Sequence, residues 1–157
     1  MDVIIMLSTI SLIKKLKVDY PQFSFIKGAS FSWSHSESTI YYADTDDDLA
    51  YLFHELSHAL LGHTSYDRDI QLMAMEREAW DYTIKLAQKY DVAISNDMVQ
   101  STLDTYRDWL HKRSTCPKCT ANGLQTAKRT YKCLACGHIW YVNDAKTCAL
   151  RRYSNKV

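Results

Sequence analysis

Phe53-His54-Glu55-Leu56-Ser57-His58-Ala59-Leu60-Leu61-Gly62-His63 is the stretch on which the reading of this chain turns. His54 and His58 are four positions apart, so on a helix their imidazoles share one face and reach a single metal ion. Glu55 stands beside the first histidine, where a carboxylate can take a proton from a metal-activated water. Helix signals surround the motif. Thr45 is an N-cap candidate, and Asp46, Asp47 and Asp48 supply an acidic first turn that suits the positive end of a helix dipole. Gly62 is a plausible C-terminal stop. At about 100° per residue, Leu49, Leu52, Phe53, Leu56, Ala59 and Leu60 gather on one arc. His54, Glu55, His58 and Tyr51 occupy the other arc, which is expected to face a cleft. A helix with merely solvated histidines is the bland alternative, and the agreement of motif with helix pattern weighs against it.

A third ligand is sought downstream. A helix is expected over residues 69–90, and it offers Glu76 and Glu78. Ile70, Leu72, Met73, Ala79, Trp80, Ile84, Leu86, Ala87 and Tyr90 form a broad apolar arc around Glu76. Glu78 falls about 200° away, among Gln71, Asp81, Lys85 and Lys89. A carboxylate in the middle of an apolar stripe needs a partner, because an unpaired buried charge is costly. A metal ion is one such partner; an ion pair with Arg77 or Arg68 is another. Glu76 is therefore the expected third ligand.

Cys116-Pro117-Lys118-Cys119 and Cys133-Leu134-Ala135-Cys136 form a second site of a different kind. Two C-x2-C turns of this sort close a tetrahedral, four-thiolate zinc site, which is structural because no position stays open. Lys128–Lys132 and Ile139–Val142 read as strands, so the segment is a zinc ribbon whose folding depends on its metal. Cys148 has no partner at this spacing and is read as a free thiol. Paired cysteines of this pattern suit a reducing compartment better than a disulfide framework.

The remaining chain is quieter. Residues 3–17 suggest an amphipathic helix broken at Asp19-Tyr20-Pro21. Phe23–Tyr42 suggest two or three short antiparallel strands, the last leading into the histidine helix as an edge on which an extended peptide could add. His35, in the intervening loop, reads as solvated. A helix over residues 96–112, capped by Ser95 or Asn96, presents Met98, Leu103, Tyr106, Trp109 and Leu110 for packing. Arg151, Arg152 and residues 154–157 look frayed.

Charge divides the chain. Residues 1–110 carry a net −8 and residues 111–157 a net +9, which together give the overall +1. A basic segment with Tyr131, Trp140 and Tyr141 among its cations suits contact with DNA through phosphates and stacking, or contact with a protein. The apolar N-terminal stretch is too short to span a bilayer and lacks the basic flank of a signal peptide. No membrane association is expected, and the reading is cytoplasmic.

His54-Glu55-Leu56-Ser57-His58 followed by Glu76-Arg77-Glu78-Ala79-Trp80 resembles the ImmA/IrrE-type zinc metallopeptidases, whose motifs are H-E-x-x-H and E-x-E-A-[N/D]. The resemblance covers roughly residues 20–90. It implies zinc on His54, His58 and Glu76, with Glu55 as general base and acid, and a regulatory protein such as a repressor as substrate. Trp80 departs from the pattern, standing where an Asn or Asp would orient a ligand histidine. A metzincin pattern is rejected, because His63 follows His54 by nine positions rather than ten. The SprT-like proteins also join H-E-x-x-H to a zinc ribbon, and the segment Tyr131–His138 is similar to theirs. Their third ligand is a histidine, a role open to His63 only if the chain turns back after Gly62; otherwise His63 reads as a supporting partner behind the ligands or as solvated.

The expected architecture is α+β: a zincin-like helical domain with a small antiparallel sheet over residues 1–112, a four-cysteine ribbon over 113–143 and a basic tail over 144–157. The expected function is zinc-dependent peptide-bond hydrolysis. The alternatives are a SprT-like protease, or a non-enzymatic regulator that binds DNA or protein and uses both zinc sites structurally. Glu55 separates these classes, since a purely structural site has no use for it.

Overall fold

A computed structural model describes residues 8–43, 49–144 and 149–155. The proposed cap at Thr45 with its acidic turn, the first residues of the expected N-terminal helix, and Cys148 lie outside the described residues. The fold is α+β, with four helices and two small sheets among the described residues. It divides into two compact units: Met1–Thr64 with Glu78–Ile94, and Ser65–Arg77 with Ser95–Val157. Helix α4, which the charge-based division puts with the first domain, belongs here to the same unit as the ribbon. Among the described residues, no helix is long and apolar enough to cross a membrane.

In the first unit, α1 (Thr9–Asp19) starts at Ser8, whose hydroxyl accepts from the Ser11 backbone N–H. It ends at the break expected before Pro21, since a residue preceding proline is disfavoured in helical conformation. Strands β1 (Ser24–Lys27), β2 (Ser32–Ser34) and β3 (Thr39–Tyr42) form a sheet in the order β1-β3-β2. This corrects the expected antiparallel sheet: β2 and β3 are antiparallel, but β1 and β3 run parallel. The link over residues 28–31 carries the chain past the end of β3, so β1 and β2 lie on opposite sides of it. Strand β3 is thus the central strand, and no peptide can add alongside it.

Helix α2 (Leu49–Leu61) buries Leu52, Phe53 and Leu56 completely, in one core with Leu12, Leu16, Phe25, Ile40 and Leu86. Its end is a full Schellman motif. Gly62 takes φ +69°, its N–H donates to Ala59 O at 3.2 Å, and the His63 N–H donates to His58 O at 3.0 Å. The chain therefore does turn back after Gly62. Ser57, also wholly buried, donates to Phe53 O at 2.7 Å and meets the Thr83 hydroxyl at 2.9 Å. That pair satisfies two hydroxyls in an otherwise apolar contact.

Helix α3 (Asp69–Gln88) buries Leu72, Glu76, Ala79, Trp80, Thr83, Leu86 and Ala87. The predicted stripe is present, centred as expected. Ile70 is an exception at 60% exposure; it lies about 120° from Glu76, at the margin of the arc.

In the second unit, α4 (Asn96–Ser114) begins at Ser95, whose hydroxyl accepts from Met98 N, and it buries Val99 and Leu103. The ribbon sheet is four-stranded and antiparallel in the order β4-β5-β6-β7: β4 Gly123–Ala127, β5 Thr130–Cys133, β6 Ile139–Val142 and β7 Arg152–Tyr153. Two corrections follow. Gly123–Ala127 is a strand that its polar sequence hides, and Arg152–Tyr153 pairs with β6 instead of fraying. Gly123 is required at its position, because a Cβ there would come within 2.2 Å of the Trp140 ring. Tyr131 and Trp140 are buried and stack on each other at 5.5 Å.

One buried ionic group joins the elements of this unit. The Arg113 Nε donates to Asp69 Oδ2 at 2.7 Å, and the Tyr131 hydroxyl donates to the same oxygen at 2.5 Å. Arg113 also donates to Asn143 O, its own carbonyl accepts from Trp140 Nε1 at 3.0 Å, and Asp69 N donates to Gln125 Oε1 at 2.8 Å. Arg113 is 1% exposed and Asp69 3%, so each depends on the other for its charge to be tolerated inside.

Candidate metal centres

Among the described residues, two groups of side chains could hold a metal ion: His54, His58 and Glu76, and the four cysteines Cys116, Cys119, Cys133 and Cys136.

The first group draws two ligands from α2 and one from α3. One donor atom from each residue lies within 4.8 Å of the others. The Nε2 atoms of His54 and His58 are 3.0 Å apart. Two nitrogens bound tetrahedrally at about 2.05 Å would be separated by about 3.4 Å, so these need only a small adjustment to share one ion. Nitrogen and carboxylate donors of this kind suit zinc and other first-row divalent ions. The three residues are 5%, 8% and 3% exposed, deeper than the cleft-facing arc that the sequence suggests. Glu55, the next residue on α2, remains half-buried.

Trp80 holds His54 in a way the sequence did not indicate. The indole is wholly buried and stacks on the His54 ring, with centroids 4.1 Å apart and planes 21° from parallel. Its Nε1 has no hydrogen-bond partner among the described residues. Where the resemblance expects an amide or carboxylate, orientation here comes from a flat aromatic contact. Tyr51, on the same helix as the two histidines, packs edge-on to Trp80 at 6.0 Å and against Phe31 at 6.2 Å.

His63 stands outside the ligand group. Returned by the Gly62 turn, its Nδ1 lies 2.8 Å from His58 Nδ1, and its Nε2 lies 3.2 Å from Glu78 Oε2. Glu78 is exposed, as its helical phase requires, yet it reaches this histidine. A glycine stop with a histidine directly after it was the available signal.

The cysteine group is built from two turns with matching backbone geometry. Thr120 N donates to Cys116 O at 2.9 Å, and Gly137 N donates to Cys133 O at 3.0 Å. Both donors adopt positive φ, +64° at Thr120 and +74° at Gly137. Cys116 N donates to Ala121 O and Cys133 N to His138 O, each at 2.8 Å. The Sγ atoms of Cys116 and Cys136 are 3.8 Å apart, and those of Cys119 and Cys133 are 3.5 Å apart. Tetrahedral zinc–thiolate bonds of about 2.3 Å place sulfurs about 3.8 Å apart, so the set fits such an ion. The Cys133 thiol is lowered to about 6, first by the Cys136 backbone N–H. Cys119 is pushed up to about 12: the Ala121 backbone interaction lowers it, but the hydrogen bonds its own thiol donates toward Cys133 and Cys136 outweigh that.

The ribbon carries a cleft of about 170 Å³ lined by Lys128, Arg129, Thr130, Tyr141, Val142, Asn143 and Tyr153. Tyr131 and Trp140 are internal, so of the three aromatics expected to meet a partner only Tyr141 remains at the surface, joined by Tyr153.

No family model, curated protein or solved structure matches this chain.

Proposed function

We propose that this chain is a zinc metallo-endopeptidase of the ImmA/IrrE type, with a zincin-like first domain and a structural zinc in its ribbon. The observation that carries the reading is the convergence of the His54, His58 and Glu76 donor atoms within 4.8 Å, with Glu55 next in sequence to the first ligand. The inclusion of Glu76 in that group, and the position of His63 outside it, favour this type over the SprT-like alternative. Zinc held there would supply Lewis acidity, easing loss of a proton from water and opposing charge on the scissile carbonyl oxygen. Glu55 takes the proton of the attacking water as its oxygen bonds to the carbonyl carbon. As the C–N bond breaks, Glu55 returns that proton to the leaving nitrogen. His54 is kept in register by Trp80, and the buried surroundings keep competing water away from the ligands.

The substrate of this reading is a protein or peptide, with a transcriptional repressor as the regulatory example. Glu55→Gln tests it: the variant is expected to retain zinc and fold while losing hydrolysis of an unstructured peptide library, read by mass spectrometry of new termini. Equal cleavage by variant and parent removes Glu55 from the mechanism. The same variant, used as a trap, selects the substrate. For the ribbon, Lys128, Arg129, Tyr141 and Tyr153 around one cleft favour contact with the phosphates and bases of DNA. Binding of a short oligonucleotide is expected to weaken steeply with added salt, and a flat response leaves only a protein contact or bracing.

A further inference from the structure

We infer that His63 and Glu78 are positioning residues for the metal ligand His58, forming a hydrogen-bonded relay that fixes its tautomer. This rests on the reading of His54, His58 and Glu76 as a metal site, and it does not depend on the site being a peptidase.

The donors and acceptors allow one consistent assignment. His58 turns Nε2 toward His54 Nε2, at 3.0 Å, so Nε2 is the ligating atom and must carry a lone pair. Its proton then resides on Nδ1, which lies 2.8 Å from His63 Nδ1. His63 must accept there, so its own proton resides on Nε2. That nitrogen lies 3.2 Å from Glu78 Oε2, a carboxylate that only accepts. Each link points the same way, from His58 through His63 to the acid. A carboxylate bonded to a ligand imidazole through its second nitrogen raises ligand basicity and fixes ring orientation. Here one more imidazole is interposed.

The fold builds this relay for a local reason. A histidine one position past a left-handed glycine is carried back over the last helical turn by the Schellman hydrogen bonds. His63 is thereby placed against His58 by backbone geometry alone. Its side chain is 10% exposed and that of Glu78 63%, so the relay runs from the buried ligand to the surface. The two ligand histidines are thus braced differently: His54 by stacking on Trp80, His58 by hydrogen bonds.

Zinc titration of the full chain with a competing chromophoric chelator, together with long-range ¹H–¹⁵N correlation of the histidine rings, tests the inference. The zinc-loaded parent is expected to take two equivalents, with His58 protonated on Nδ1 and His63 on Nε2. His63→Ala should weaken the weaker-bound equivalent by about 10–100-fold while leaving the thiolate equivalent unchanged. Glu78→Ala should show a smaller loss, and Glu78→Gln should recover part of it, because an amide oxygen still accepts from Nε2. A purely structural histidine would lower the melting temperature of the metal-free chain without changing zinc affinity, and that result overturns the relay. So does a His63 ring that is protonated on Nδ1 or bound to zinc. A parent that takes one equivalent, confined to the cysteines, overturns the metal site and the relay together. Two equivalents with unaltered affinity in both variants overturn the relay alone.

Discussion

The two candidate metal centres solve opposite problems. The thiolates sit on turns in a small ribbon whose apolar core is little more than Tyr131, Trp140, Val142 and two of the cysteines themselves. The histidines sit on a helix already buried by a larger core that includes Leu12, Leu16, Phe25, Ile40, Leu52, Phe53 and Leu56. In the first case an ion would organise the protein; in the second the protein already holds side chains that could take an ion. Metal removal is the sharpest way to break this comparison. Stripping the thiolate site, or replacing Cys133 by Ser, is expected to remove on the order of 10 kcal/mol of metal-linked folding energy from the ribbon. Hydrogen exchange should then show β4, β5 and β6 fully exchanging while α2 stays protected. Equal protection of the ribbon without metal would mean that its own packing suffices.

A second contrast lies in how each unit uses a carboxylate. Asp69 is buried with Arg113 and Tyr131, whereas Asp19 is exposed and accepts only from Tyr90 among the bonds between described side chains, at 2.7 Å. Asp69→Asn keeps the shape but leaves the Arg113 charge unbalanced in the interior. Removing one partner of a buried pair costs about 3–5 kcal/mol, so urea denaturation should show a large loss in the second unit. A loss below about 1 kcal/mol would place the pair in the class of weak surface bridges.

These contrasts also explain what could be read from the sequence. Metal spacing is local, so His54, His58 and the four cysteines could be picked out by position as candidate ligands that the fold brings together, and Glu76 by its place in a helical stripe. Glycine chemistry is local too, and Gly62 ends α2 as read. Sheet order is not local. The crossing of the chain past β3 depends on a link of unremarkable residues, and it turned an expected edge strand into a central one. The same holds for Asp69 and Arg113, 44 positions apart, whose pairing no periodicity announces. Tyr131 and Trp140 differ from expectation for a related reason: an aromatic among lysines looks like a ligand platform, yet both rings are buried, Tyr131 bonded to Asp69 and Trp140 to the Arg113 carbonyl. Trp80 against His54 is a packing solution that a motif comparison can register only as a departure.

The smallest expected effect concerns Tyr90. Its pKa is raised, first by burial and then by the hydrogen bond it donates to Asp19. A phenol whose folded pKa exceeds its unfolded value stabilises the fold fully below the unfolded pKa, and that contribution is lost as pH rises toward the folded one. The window therefore opens at about pH 10, where an unfolded tyrosine begins to ionise. Below it, Tyr90→Phe removes one bond to an exposed carboxylate that water can serve instead, so the cost is expected to be at most about 1 kcal/mol. The ring stays in the core beside Phe53, 5.5 Å between centroids, and under the Lys15 ammonium at 5.1 Å. Urea midpoints measured at neutral and at alkaline pH should converge for parent and variant as pH rises, because the phenylalanine has no proton to lose. If the parent keeps its full advantage well above pH 10, the folded phenol ionises as readily as an unfolded one, and neither burial nor the bond to Asp19 holds it neutral.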